Sequence, residues 1–188
     1  MEKITTKDWN YAHWTFRVGT RPFEGVILLL ENTRKNFKSI SSHSCGSFSS
    51  TNDLLCRNAF SKISLTMSYA LLEGFFIEEY SYYIKSKPPK YLIDIINELL
   101  KKHGLTLTNW EYLSEKIEMV RKLRNAEMHN NGIISKYIDK EKCEELFGEN
   151  IFQQNKNYPQ LSLESAIWLV WEFKKIADEY AEAVFKAA

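Results

Sequence analysis

The long run from Leu54 to Lys85 contains one glycine, Gly74, and no proline, and it stops at Lys87-Pro88-Pro89. Proline disfavours helical geometry in the residue before it, so this run predicts a single long helix with a sharp end. Apolar residues recur along it at helical spacing: Leu65, Tyr69, Leu72, Phe76, Tyr80 and Tyr83 fall on one side. Further segments read the same way. Val26-Ile27-Leu28-Leu29-Leu30 leads without a breaker into Glu31 to Lys38, and Tyr91 to Lys102 is a shorter amphipathic helix ended by His103-Gly104. Asn109 starts another helix, Asp139 to Phe147 suits a short acidic one, and Gly148 to Pro159 is turn-rich. Ser162 to Phe185 closes the chain with Leu163, Ile167, Val170, Phe173, Ile176 and Tyr180 in register. The fold class that follows is all-α, a helical bundle.

The beginning of the chain reads differently. Between Trp9 and Phe23 the residues Trp14, Phe16 and Val18 alternate with Thr15 and Arg17 as in a half-buried strand, until Gly19 and Pro22 interrupt. Ser39 to Asn52 holds seven serines and one glycine, which suits a flexible connection, with Thr51-Asn52-Asp53 as an N-cap for the long helix. Residues 1–52 are therefore expected to form a strand-like or irregular extension, with a first helix and a Ser-rich loop, packed on a bundle of 53–188. At 188 residues, with 44% hydrophobic and 14% aromatic content, the chain suits one domain with one core.

Charge and cysteine usage narrow the function classes. With 25 basic and 24 acidic residues the net charge is +1, so any nucleic-acid contact must be local. Cys45, Cys56 and Cys143 are odd in number and far apart, which indicates neither a disulfide framework nor a zinc site, and no metal or cofactor is expected. No stretch approaches the roughly 20 apolar residues of a membrane span, and Met1 to Asp8 lacks the apolar centre of a signal peptide. A cytoplasmic protein without a membrane partner is the expectation.

The segment most suggestive of chemistry is Arg124-Asn125-Ala126-Glu127-Met128-His129, followed at once by the helix stop Asn130-Asn131-Gly132. With Leu113 as origin, Arg124 falls about 20° away on the helix circumference, between Ile117 and Val120, which puts it on an apolar stripe. An arginine there requires an anion. Glu73, about 40° from Tyr69 on the long helix, is the candidate partner. His129 lies about 140° around from Arg124, on the side of Asn125, its i−4 neighbour. A histidine in the last helical turn faces the negative end of the macrodipole and brings acid–base chemistry near neutral pH.

Arg124-Asn125-x-x-x-His129 resembles the R-x4–6-H signature of HEPN-domain proteins, in which a polar residue commonly follows the arginine. Ser68-Tyr69-Ala70-Leu71-Leu72-Glu73-Gly74-Phe75-Phe76 is similar to that family's earlier helix with its inward acidic residue, and the resemblance covers Asp53 to Phe185. It implies a metal-independent endoribonuclease, a homodimer whose two motifs face each other across a composite cleft. It also implies RNA as substrate and a toxin, antiphage-defence or RNA-processing setting, with a cognate antitoxin or a nucleotidyltransferase as partner. His129 is then the base or acid, Arg124 the phosphate clamp, Asn125 the orienting residue and Glu73 the support of Arg124. The alternative is a noncatalytic nucleotide- or partner-binding module of the same family, or a purely structural Glu73–Arg124 pair with His129 at a helix end.

Other candidates carry both a functional and a bland reading. Lys85, Lys87, Lys90, Lys101 and Lys102 form a basic group that could receive RNA backbone, or simply a solvated face. Tyr80, Tyr82, Tyr83, Trp168 and Trp171 could stack on bases, though aromatic residues at helical spacing more often serve a core or a contact between copies. His43-Ser44-Cys45 lacks a second ligand cluster, and His13 and His103 look incidental.

Overall fold

The computed structural model describes residues 6–41, 48–129, 138–152 and 158–187. The elements are α1 (Thr6–Trp14), a π-helical turn (Thr15–Gly19), α2 (Arg21–Ser41), α3 (Phe48–Tyr83), α4 (Leu92–His103), α5 (Trp110–His129), α6 (Lys140–Phe147) and α7 (Leu163–Ala187). Among the described residues there is no strand, and no helix is long and apolar enough to cross a membrane. The local signals explain the boundaries. Asp139 Oδ1 accepts from the Lys142 N–H at 3.1 Å and Ser162 Oγ from the Ser165 N–H at 3.0 Å, each satisfying an orphan donor of a first turn. Gly104 closes α4 and Gly148 closes α6 in the left-handed region, where a side chain is strained.

Two expectations fail at the N-terminal side. The segment read as strand-like is helical, and its alternation is inverted: Trp14 and Phe16 are largely exposed while Thr15 between them is 2% exposed. Three alternating residues are too few to outweigh the helical stretches on either side. The Ser-rich connection is also shorter than its composition suggests, because α2 continues to Ser41 and α3 begins at Phe48, upstream of the expected cap at Thr51-Asn52-Asp53. Residues 42–47, with His43 and Cys45, lie outside the described residues, as does Asn130-Asn131-Gly132.

Side-chain contacts fix how the helices run. Glu24 pairs with Lys174 and Arg34 with Glu164, so α2 is antiparallel to α7. The pairs Lys62–Glu127 and Lys116–Glu172 make α5 antiparallel to both α3 and α7, when taken with Arg124 over Tyr69 and Thr108 bonded to Glu179. Ser61 meets Leu161 and Phe76 meets Tyr180, so α3 and α7 run side by side in the same direction. One core results, built from Leu65, Leu72 and Phe76 on α3, Ile117, Val120 and Leu123 on α5, and Val170, Phe173 and Tyr180 on α7. Phe23, Ile27 and Leu30 of α2 belong to it too. The boundary expected at residue 52 therefore falls inside α3, and α2 is a member of the bundle.

Candidate functional site at the α3–α5 contact

The side of each helix that packs inward decides where the expected site residues go. On α5 the buried residues are Lys116, Ile117, Met119, Val120, Leu123 and Ala126, an arc centred about 60° away from Leu113. Arg124 thus sits about 80° from the centre, at the edge, and is only partly buried. On α3 the line Ser61, Ser64 and Ser68 is buried alongside Leu65, Leu72, Phe75 and Phe76, which shifts that arc by a similar amount and leaves Glu73 at its other edge. On α5 it is Lys116, Met119, Leu123 and Ala126 that carry the buried arc away from Arg124, and on α3 the three serines carry it away from Glu73.

The expected Glu73–Arg124 pair does not form: no ion pair or hydrogen bond joins them, and the Arg124 guanidinium lies over the Tyr69 ring at 5.4 Å instead. Arg124 Nε is buried and without a hydrogen-bond partner among the described residues. One turn earlier Arg121 is engaged quite differently. It donates from Nε and Nη2 to the two oxygens of Glu118 at 2.8 and 2.6 Å, a two-point pair that holds the Glu118 carboxyl below its ordinary range. Burial pushes the Tyr69 hydroxyl up to about 12, with Glu73 adding to the rise and Arg121 and Arg124 opposing it. Tyr69 is therefore a neutral platform between charges of both signs.

Asn125 is partly buried beside Arg124, whereas His129 is exposed at the last described turn of α5, next to the exposed Met128. The basic group does not form one patch. Lys85, Lys87, Lys90, Lys101 and Lys102 are all exposed, but Lys90 lies over Tyr91 at the start of α4 while Lys101 and Lys102 lie at its far end, roughly 15 Å along the helix at 1.5 Å per residue. Tyr80 and Tyr83 are used internally, through a 2.6 Å bond from the Tyr80 hydroxyl to Glu98 Oε2 and an edge contact of Tyr83 with His103. Tyr82 stacks on Tyr11 at 3.5 Å. Burial raises the Cys143 thiol to about 12, which leaves it unreactive.

The acidic residue that α3 does turn inward is Glu79, which the sequence reading missed. It is 2% exposed, and Thr15 Oγ1 donates to its Oε1 at 3.1 Å. Burial pushes its carboxyl up to about 7 against the opposing effect of the Tyr11 and Thr15 hydroxyls. The signal was present: Glu79 follows Leu72 by seven positions, Phe75 by four and Phe76 by three, the spacing of a shared helix face.

Comparison of the chain with family models, with curated proteins and with solved structures finds no match.

Proposed function

We propose that the chain is a HEPN-type endoribonuclease that cleaves RNA by attack of the substrate's own 2′-hydroxyl, at a site built on the C-terminal half of α5. The observation that carries this reading is Arg124, a partly buried cation with no carboxylate partner among the described residues, seated on an aromatic ring beside an arginine that is already paired. A planar guanidinium in that state is free to bind two phosphate oxygens. In the reaction the 2′-oxygen attacks phosphorus, its proton passes to a base, and the departing 5′-oxygen receives a proton from an acid. His129 serves as base or acid, Arg124 stabilises the charge gathering on the phosphorane-like transition state, and Asn125 orients one of the two.

Arg124 and His129 point about 140° apart on one helix, so two copies of the chain supply the site more readily than one, with Met128 exposed beside His129 for the contact. Homodimerisation, a cytoplasmic location, a toxin or defence role and a cognate antitoxin or nucleotidyltransferase rest on the family resemblance. The same angular separation favours the second reading, a noncatalytic module that binds phosphate at Arg124 and leaves His129 unused.

The test is cleavage of end-labelled single-stranded RNA in the presence of chelator by wild type, Arg124→Ala and His129→Ala, with product ends analysed for 2′,3′-cyclic phosphate. Loss of cleavage in both variants, with folding intact, supports the ribonuclease. Equal cleavage by all three proteins overturns it, and binding without cleavage that is lost only in Arg124→Ala selects the second reading.

A further inference from the structure

The hydroxyls of Tyr11 and Tyr180 are buried and lie close enough to the Glu79 carboxyl to act on it, without a well-aligned hydrogen bond among the described residues, and His103 Nε2 is likewise buried and unbonded nearby, where α1, the π turn, α3, α4 and α7 meet. What surrounds the buried carboxyl is therefore a set of hydroxyls and rings, with no described cation paired to it, and a carboxyl in such a place favours its neutral form. We propose that Glu79 is a proton-operated latch: with its carboxyl neutral it holds α1 and the π turn against α3 and α7, and on losing the proton it releases them.

The geometry puts the latch at a junction between two parts of the chain. Thr15, carried inward by the π turn, bonds to Glu79 across the interface, and Tyr11 stacks on Tyr82. Gly19 ends the turn so close to Phe75 that a Cβ there meets the ring at 3.3 Å. A π turn between two helices is an uncommon way to pass the chain, and such turns recur where a side chain must be aimed. Away from this seam the segment is held mainly at Phe185, near the end of α7, which the rings of Trp9, His13 and Phe16 meet at 6.0, 5.5 and 5.2 Å, while Trp9, Trp14 and Phe16 keep substantial exposure.

The charges around Glu79 determine the direction of the switch. Facing it are Tyr11 from α1, Thr15 from the π turn, Tyr180 from α7, and Glu78 and Tyr83 from α3 itself, with His103 of α4 behind Tyr83. Asp8 lies against Tyr82 and adds further negative charge on the α1 side. No described lysine or arginine forms an ion pair with Glu79. The tyrosine hydroxyls can donate to either form of the carboxyl, but no described cation pairs with the ionised one, so its cost falls on the interface that buries it. Release uncovers Tyr82, Phe75 and Tyr180, an aromatic face that α1 and the turn otherwise cover.

Hydrogen exchange read by mass spectrometry on the full chain tests this. With the closed carboxyl titrating near 7 and the open one at its ordinary value, peptides from 6–19 should open about 30-fold more readily near pH 8.5 than near pH 5.5 after correction for intrinsic exchange, while the middle of α7 stays protected. Glu79→Gln should abolish the difference and keep the segment closed at both values. A response that survives in Glu79→Gln belongs to another group and overturns the proposal, as does equal opening of wild type at both pH values. Thr15→Val gives an independent reading should Glu79→Gln misfold. It removes a donor to the carboxylate, so the midpoint of opening should move to higher pH, and an unmoved midpoint refutes the latch.

Discussion

Two stretches of α3, around Tyr69 and around Glu79, handle buried charge in opposite ways. At the first, Tyr69 offers a ring face to Arg124, a cation at the rim of the core with water within reach and no ion pair among the described residues. At the second, Glu79 is enclosed among hydroxyls and rings, an anion-forming group that no described cation pairs with. The first arrangement presents a guanidinium, which carries only donors, and so it is open to an anionic ligand. The second escapes its charge by taking up a proton. A half-buried cation is thus suited to binding, and a fully buried acid to switching.

The largest expected effect lies at the first of these. His129→Ala should reduce RNA cleavage by roughly 100- to 10,000-fold and Arg124→Ala by roughly 100- to 1,000-fold, the usual losses for an acid–base group and for a donor to a transition-state oxyanion. Thermal unfolding should change little, since His129 is exposed and Arg124 lacks a structural ion pair. Large destabilisation in Arg124→Ala would show that the Tyr69 seat is structural, and the contrast between the two sites on α3 would then collapse.

The second effect is in stability against pH. The folded-state pKa of Glu79 lies above its ordinary value, so the folded chain binds the extra proton, and the contribution of Glu79 is complete below about pH 4.5 and lost as pH rises through about 7. Relative to its difference from wild type in acid, Glu79→Gln should gain up to about 3 kcal/mol at alkaline pH, at 1.36 kcal/mol per pKa unit. Urea unfolding of the two proteins in parallel measures the gap and cancels other titrating groups. A gap that does not change with pH means that Glu79 is solvated.

How far the sequence exposed this contrast can be traced residue by residue. Helix limits were legible because their signals are local: Gly104, Asp139 and Ser162 act on backbone groups within one turn. Inward faces were less so. Counting only large apolar residues placed the stripe of α3 near Tyr69, which promoted Glu73 and hid Glu79, whereas counting Ser61, Ser64 and Ser68 as packing residues reverses the two. Periodicity gives the angle of a residue on its own helix, but which neighbour covers that angle is a tertiary fact. No local signal could show that Thr15 would be buried between two exposed aromatic residues, because the π turn that rotates it inward depends on docking to Glu79 and Phe75.

Tyr69 separates packing from charge at the first site. Tyr69→Phe keeps the ring under the guanidinium and should leave cleavage near wild type, with a stability change within about 1 kcal/mol for the lost hydroxyl. Tyr69→Leu removes the ring face and should cost about 1–2 kcal/mol of stability, together with roughly tenfold in cleavage as Arg124 loses its orientation. Melts and cleavage rates of the pair check this. If the two substitutions behave alike, the hydroxyl and not the ring is what positions Arg124.

Gly19→Ala probes the second site with the smallest expected change. In an open helical position alanine is favoured over glycine by up to about 1 kcal/mol, because it restricts the unfolded chain more. At Gly19 the new methyl meets Phe75 Cε2 and Thr15 Cγ2, each at 3.3 Å, inside ordinary contact distance. Phe75 has little room to yield, since it packs edge-on against both Phe76 and Tyr180. The contact penalty should therefore outweigh the backbone gain and leave a net loss of about 1 kcal/mol or less, seen as a lower urea midpoint. Because the methyl presses on the seam that Glu79 closes, the loss should also appear as faster exchange in 6–19. A gain in stability would mean that the π turn is loosely seated, in which case Thr15 cannot be holding Glu79 and the burial of that acid needs another cause.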